Sequence, residues 1–63
     1  MNKTIIGHKI REARQRAGLT QSELAKKASV SYQTINGIEN GRGNTTIRVL
    51  FKLEELLRIN FFK

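Results

Sequence analysis

Apolar residues recur along this chain at steps of three and four, and closely spaced breaks cut the runs short. Ile6, Ile10, Ala13 and Ala17 form the first run. Leu24, Ala25 and Ala28 form the second, and Ile35 and Ile38 the third. Ile47, Leu50, Leu53 and Leu57 form the fourth, with Phe51 and Leu56 widening the stripe. Such spacing lines one face of a helix. The breaks fall at Gly18, at Ser29-Val30-Ser31 and at Gly41-Arg42-Gly43-Asn44. No run alternates as a strand would, and Asn36-Gly37 lies inside a helical pattern rather than between two strands. The chain is therefore expected to be all-α, a compact bundle of four to five short helices.

The ends of these helices are also written in the sequence. Thr20-Gln21-Ser22-Glu23 has the form of a capping box, in which hydroxyl and carboxylate each satisfy the other residue's amide. Ser31 suits the N-cap of a third helix from Tyr32 to Asn40, which Gly41 ends. Gly18 suits the end of the first, and a fourth begins near Asn44–Thr46. The tail Ile59-Asn60-Phe61-Phe62-Lys63 is too short to assign.

A chain of 63 residues is one domain at most, without room for a large enzyme cleft. It has no Cys, which removes disulfides, zinc ribbons, iron–sulfur clusters and thiol catalysis. Its 38% hydrophobic content is too high for a disordered basic tail. No apolar run has the length of a signal peptide's core or a membrane span, so the expected location is the cytoplasm. Twelve Lys+Arg against five Asp+Glu give a net charge of +7. That favours a polyanionic partner: nucleic acid first, an anionic membrane surface second. No residues have metal-ligand spacing, and no nucleophile–base pair or phosphate-cradling glycine loop is present. Glu54-Glu55 point apart on a helix and read as a solvated face, as does His8. No enzymatic activity, metal or cofactor is expected.

Residues 21–40 carry the functional signal. Two helices of about eight residues meet across a turn of three or four, the form of a helix-turn-helix. Leu24, Ala28, Val30, Ile35 and Ile38 take inward positions, and Ala25 sits where the helices approach most closely. With Thr20, Gln21, Glu23 and Glu39-Asn40-Gly41, this pattern resembles the Cro/lambda-repressor-like, or Xre, family of helix-turn-helix proteins. The resemblance runs from Ile6 to about Leu57, most of the chain. One departure stands out: the family usually places Gly in the interhelix turn, where this chain has Ser29.

The resemblance implies a DNA-binding domain over residues 1–63 whose third helix enters the major groove. Base reading then falls to Tyr32, Gln33 and Gly37, with Asn36 adjacent. Gln and Asn can pair with adenine through two hydrogen bonds. Thr20, Gln21, Ser31, Asn40, Arg42, Asn44 and Thr45 match backbone-contacting positions. Lys9, Lys26 and Lys27 add to the positive field. Arg14 and Glu39 match a pair that forms a buried salt bridge in several members. Leu57, Ile59, Phe61 and Phe62 are the expected dimer interface. The expected function is a transcriptional regulator, a repressor acting as a homodimer on a pseudo-palindromic double-stranded site. The alternative is a DNA-binding antitoxin that also binds a toxin protein.

Overall fold

The computed structural model describes residues 3–42 and 46–60. Among them are four helices and no strand: α1 (Lys3–Arg16), α2 (Gln21–Ala28), α3 (Tyr32–Glu39) and α4 (Ile47–Leu57). Each helix sends one branched aliphatic side chain to full burial: Ile10, Leu24, Ile35 and Leu53. Ala25, Ala28 and Ile38 complete the buried cluster, and Ile6, Leu19, Val30, Val49, Leu50, Leu57 and Ile59 pack around it. Helices α1 and α2 each pack against both α3 and α4. The face of α3 that carries Tyr32 and Gln33 is left exposed.

Capping explains why such short helices start where they do. The hydroxyls of Thr20, Ser31 and Thr46 each accept from the amide three residues on, and Thr20 and Glu23 complete a reciprocal box. All four helices also end alike. The residue just past the last turn takes a positive φ: Gly18 at 73°, Ser29 at 57°, Gly41 at 69° and Arg58 at 55°. The next amide then reaches back five residues: Leu19 to Arg14, Val30 to Ala25, Arg42 to Gly37, and Ile59 to Glu54. This is the Schellman closure, which satisfies a carbonyl that the helix cannot. It also turns Leu19, Val30 and Ile59 inward onto the core. Ser29 and Arg58 adopt the left-handed conformation despite carrying a Cβ, a strain of about 1 kcal/mol each.

Glycine matters most at a position without a positive φ. Gly7 is buried in α1 against the C-terminal end of α3. A Cβ there would fall on the Ile38 carbonyl oxygen and 2.8 Å from that of Glu39. Its absence lets α1 lie directly on the α3 backbone.

Several expectations change. Ala17 is exposed, because α1 stops at Arg16 and the chain turns away at Gly18. The buried stripe of α4 is narrower than expected. Ile47 is 60% exposed, Phe51 52% and Leu56 39%, while Val49 joins the packed side. At 100° per residue, a face centred on Leu53 leaves Ile47 and Phe51 well round the helix. Helix α3 ends at Glu39, one residue early, with Asn40 as its cap. Ile59 packs against the domain's own core, and Phe61 and Phe62 lie outside the described residues.

Two glycine exchanges should act in opposite directions. Ser29→Gly relieves left-handed strain and is expected to raise stability by up to about 1 kcal/mol, some 4–8 °C in Tm for a domain this small. Gly7→Ala forces α1 off α3 and is expected to cost at least about 1–3 kcal/mol. Thermal melts followed by circular dichroism measure both.

Candidate nucleic-acid interface

The interface is built around one buried carboxylate. Glu39, in the last turn of α3, is 3% exposed. Arg14 of α1 grips it with two hydrogen bonds, Nε to Oε2 at 2.6 Å and Nη2 to Oε1 at 3.1 Å. Arg14 also donates from Nη1 to the Leu19 carbonyl at 2.8 Å, fixing the loop between α1 and α2. Gln21 Nε2 donates to Oε1 from α2 at 3.0 Å, and Arg11 Nε from α1 at 3.3 Å. Three helices therefore meet at a single side chain.

The charge state follows from these partners. Burial pushes the Glu39 carboxyl upward in pKa, but hydrogen bonds from Arg14, Gln21 and Arg11 with the Arg14 charge outweigh it, so Glu39 titrates below its ordinary value. Arg14 is raised, chiefly by its hydrogen bond to Glu39. Removing one partner of a buried pair strands the other's charge and costs about 3–5 kcal/mol. A chain this size has only about 3–9 kcal/mol of stability to lose.

Around this centre the expected contact residues divide. Tyr32 and Gln33 are exposed at the start of α3, and neither side chain has a hydrogen-bond partner among the described residues. They line a shallow groove of about 350 Å³ with Asn36, Gly37 and Arg42. Asn36 is half-buried and engaged: its Nδ2 donates to Gln21 Oε1 at 3.3 Å and its Oδ1 accepts from Asn40 at 3.3 Å. Gln21 is thus tied on both ends of its amide, to Asn36 and to Glu39. A Cβ on Gly37 would meet only the Arg42 carbonyl oxygen, at 3.4 Å. No neighbour within the described residues therefore requires glycine there.

The start of α2 is open to an anion. The capping box satisfies the Thr20 and Glu23 amides, with Thr20 N–H to Glu23 Oε1 at 2.8 Å. Among the described residues that leaves the Gln21 and Ser22 amides as the unsatisfied donors of the first turn. The box also lowers the pKa of Glu23, first through the Thr20 backbone hydrogen bond. Ser31 is exposed, its hydroxyl shared with the Thr34 amide and hydroxyl. Asn40 and Arg42 are exposed beyond α3, and Asn44 and Thr45 lie outside the described residues. Leu57 and Ile59 are half-buried on their own core.

Sequence reasoning passed over Gly7, Arg11 and the left-handed Arg58. Arg11 was legible in principle, because it stands three residues before Arg14 and so shares its helix face. Gly7 and Arg58 give no comparable signal, since the first depends on what α1 meets and the second on a conformation Arg seldom adopts.

This geometry is that of a helix-turn-helix protein. The helix-turn-helix family model (HTH_3) matches residues 10–63, and the chain belongs to that family. It is 39% identical over 57 residues to the antitoxin HipB of Escherichia coli K12, covering 90% of this chain and 65% of that protein. It therefore spans somewhat under two thirds of that relative's length. Among solved structures it superposes on the restriction-modification controller protein C.AhdI of Aeromonas hydrophila with a TM-score of 0.84 at 29% identity, covering 92% of this chain and 88% of that one. It superposes on the biofilm master regulator SinR, in complex with DNA, at 0.76 and 36%, covering 87% and 89%. The four-helix arrangement is thus the lambda-repressor-like fold.

Two outcomes follow. Because Glu39 titrates lower in the folded chain than unfolded, its stabilisation is complete above about pH 4.3 and fades as pH falls through the lower folded value. Glu39→Gln should be less stable than the parent at pH 7, and urea melts should show that gap narrowing in acid. Gly37→Ala should melt higher by about 0.5–1 kcal/mol, since the helix gains a better former in nearly open space.

Proposed function

We propose that this protein is a sequence-specific double-stranded DNA-binding transcriptional regulator, a repressor that works as a homodimer on a pseudo-palindromic operator. The observation that carries this reading is the exposed start of α3. Tyr32 and Gln33 stand there without hydrogen-bond partners among the described residues, beside the open amides of α2, on a helix pair clamped by Arg14 and Glu39. In this reading Gln33 reads a base edge, with Asn36 beside it, and the backbone approaches closely at Gly37. Thr20, Gln21, Ser31, Asn40, Arg42, Asn44 and Thr45 hold phosphates. The surplus of cations supplies the sequence-independent part of affinity. A two-fold dimer sets two such helices about 34 Å apart, one turn of the duplex. Leu57, Ile59, Phe61 and Phe62 are the residues proposed to meet a second copy, and Leu56, next to Leu57 in α4, is exposed. Occupancy of the operator blocks polymerase in the cytoplasm, without catalysis. Among the described residues no helix is long and apolar enough to cross a membrane, and no group of three acidic or His side chains gathers to hold a metal.

A second reading is favoured by the 39% identity to antitoxin HipB. Under it the protein binds DNA in the same way and also neutralises a toxin protein. Co-expression with the product of a neighbouring gene distinguishes the two, since an antitoxin restores growth and co-purifies with its toxin.

Binding to a duplex selected from a random library is expected to be steeply salt-dependent. With log K falling about 0.9 per neutralised phosphate, six to ten contacts correspond to a loss of about 10³–10⁵-fold between 50 and 200 mM salt. Fluorescence anisotropy across that range measures the slope, and a flat profile contradicts the mechanism.

A further inference from the structure

Among the described glycines, Gly18 and Gly41 take a positive φ that favours glycine, and Gly7 lets α1 lie on the α3 backbone. Gly37 has neither reason. It sits inside α3 without a positive φ, and a Cβ there would meet only the Arg42 carbonyl oxygen, at 3.4 Å. Glycine in a helix interior loses stability against alanine. The domain carries that loss at Gly37 although no contact among the described residues asks for it.

What the missing side chain does change is the outward surface. Gly37 borders the shallow groove of about 350 Å³ that Tyr32, Gln33, Asn36 and Arg42 also line. Tyr32, Gln33, Asn36 and Gly37 are neighbours on one helix face, at steps of one, three and four, so together they frame a hollow. Three of these side chains are large, and the fourth is a hydrogen atom. The groove exposes more carbon than nitrogen and oxygen, although polar residues border it. It therefore suits a small apolar group presented among polar ones. The major-groove edge of DNA offers such a group. Base pairs show hydrogen-bond donors and acceptors there, and the apolar exception is the C5 methyl of thymine. An adenine read by Gln33 is paired with thymine, and Gln33 stands about one turn, roughly 5.4 Å along the axis, from Gly37.

We propose that Gly37 is a specificity-determining residue: its missing side chain leaves a socket, bordered by Tyr32 and Gln33, that receives the C5 methyl of one thymine in the major groove. This inference rests on the DNA-binding function proposed above. It gives Gly37 a part in base reading that works through shape, beside the hydrogen bonds of Gln33. A methyl added at position 37 occupies the side of the socket that thymine fills, so Gly37→Ala removes the discrimination without removing any polar contact.

The test begins with selection from a random-sequence duplex library of unmodified bases, so that every C5 methyl in the selected site belongs to thymine. Each thymine is then replaced by deoxyuridine, one at a time, which removes the methyl and keeps all the hydrogen-bonding groups of the pair. Fluorescence anisotropy at fixed salt gives the affinities. The parent is expected to lose about fourfold at one thymine of each half-site, the worth of one buried methyl. Gly37→Ala should bring the thymine-to-deoxyuridine ratio there near unity, while its preferences at other positions persist. That variant is expected to melt no lower than the parent, so unfolding does not stand in for the loss. An even loss of affinity on both duplexes, with the parental ratio intact, overturns the proposal, because it assigns Gly37 to close approach of the DNA backbone. Full retention of affinity and ratio by Gly37→Ala overturns it as well. So does a parent insensitive to deoxyuridine at every thymine of a duplex it selects, a result that leaves the DNA-binding reading standing. A parent that enriches no duplex overturns that reading, and the proposal with it.

Discussion

A carboxylate removed from water is the interaction on which this domain depends. Glu39 is unfavourable in the core by itself, and it becomes tolerable only when α1, α2 and α3 bring their donors to it together. The requirement runs both ways. Arg14 needs Glu39, and in the same grip it fixes the Leu19 carbonyl at the entry to α2. The core aliphatics drive the helices together, but apolar contacts tolerate sliding. A bidentate ion pair does not, so it sets the angle at which α3 is presented. In this fold the polar centre supplies registration and the apolar cluster supplies cohesion.

Small size makes the helix ends as consequential as the core. Helices of eight residues satisfy few of their own terminal groups, and here each end carries its own solution. Hydroxyl caps open α2, α3 and α4, and left-handed closures end all four helices. The closures do two jobs, satisfying a carbonyl and folding the next side chain inward. Leu19, Val30 and Ile59 enlarge a core that four fully buried residues alone would leave thin. The strain at Ser29 and Arg58 is offset by this gain in burial. The packing of Ile59 also means that the C-terminal segment serves the monomer, and is not wholly reserved for a partner.

Much of the fold was legible in the sequence because its signals are local. The capping box at Thr20–Glu23, the Ser31 cap and the stops at Gly18 and Gly41 lie within a few residues of the bonds they make. The inward positions of Leu24, Ala25, Ala28, Ile35 and Ile38 follow from helical period alone. The same reasoning went astray on α4, where Ile47 and Phe51 keep a plausible spacing but face away from the core. Periodicity identifies a stripe without saying how wide a face the rest of the chain will cover.

At the candidate interface the division is sharper. The sequence by itself determined which residue types stand on the outward side of α3 and which helix they belong to, because both follow from spacing against Ile35 and Ile38. Only the tertiary structure decided which of them are at liberty. Gln33 and Tyr32 are exposed, while Asn36, Asn40 and Gln21 are bound into a ring with Arg11 and Glu39. That ring joins positions as far apart as 11 and 40, and hydrogen bonds at such separations have no periodic signature. Gly7 shows the same limit, since its role is defined by the α3 backbone lying against it. Local bonding is written in neighbouring letters, whereas a contact between helices exists only once their relative placement is set.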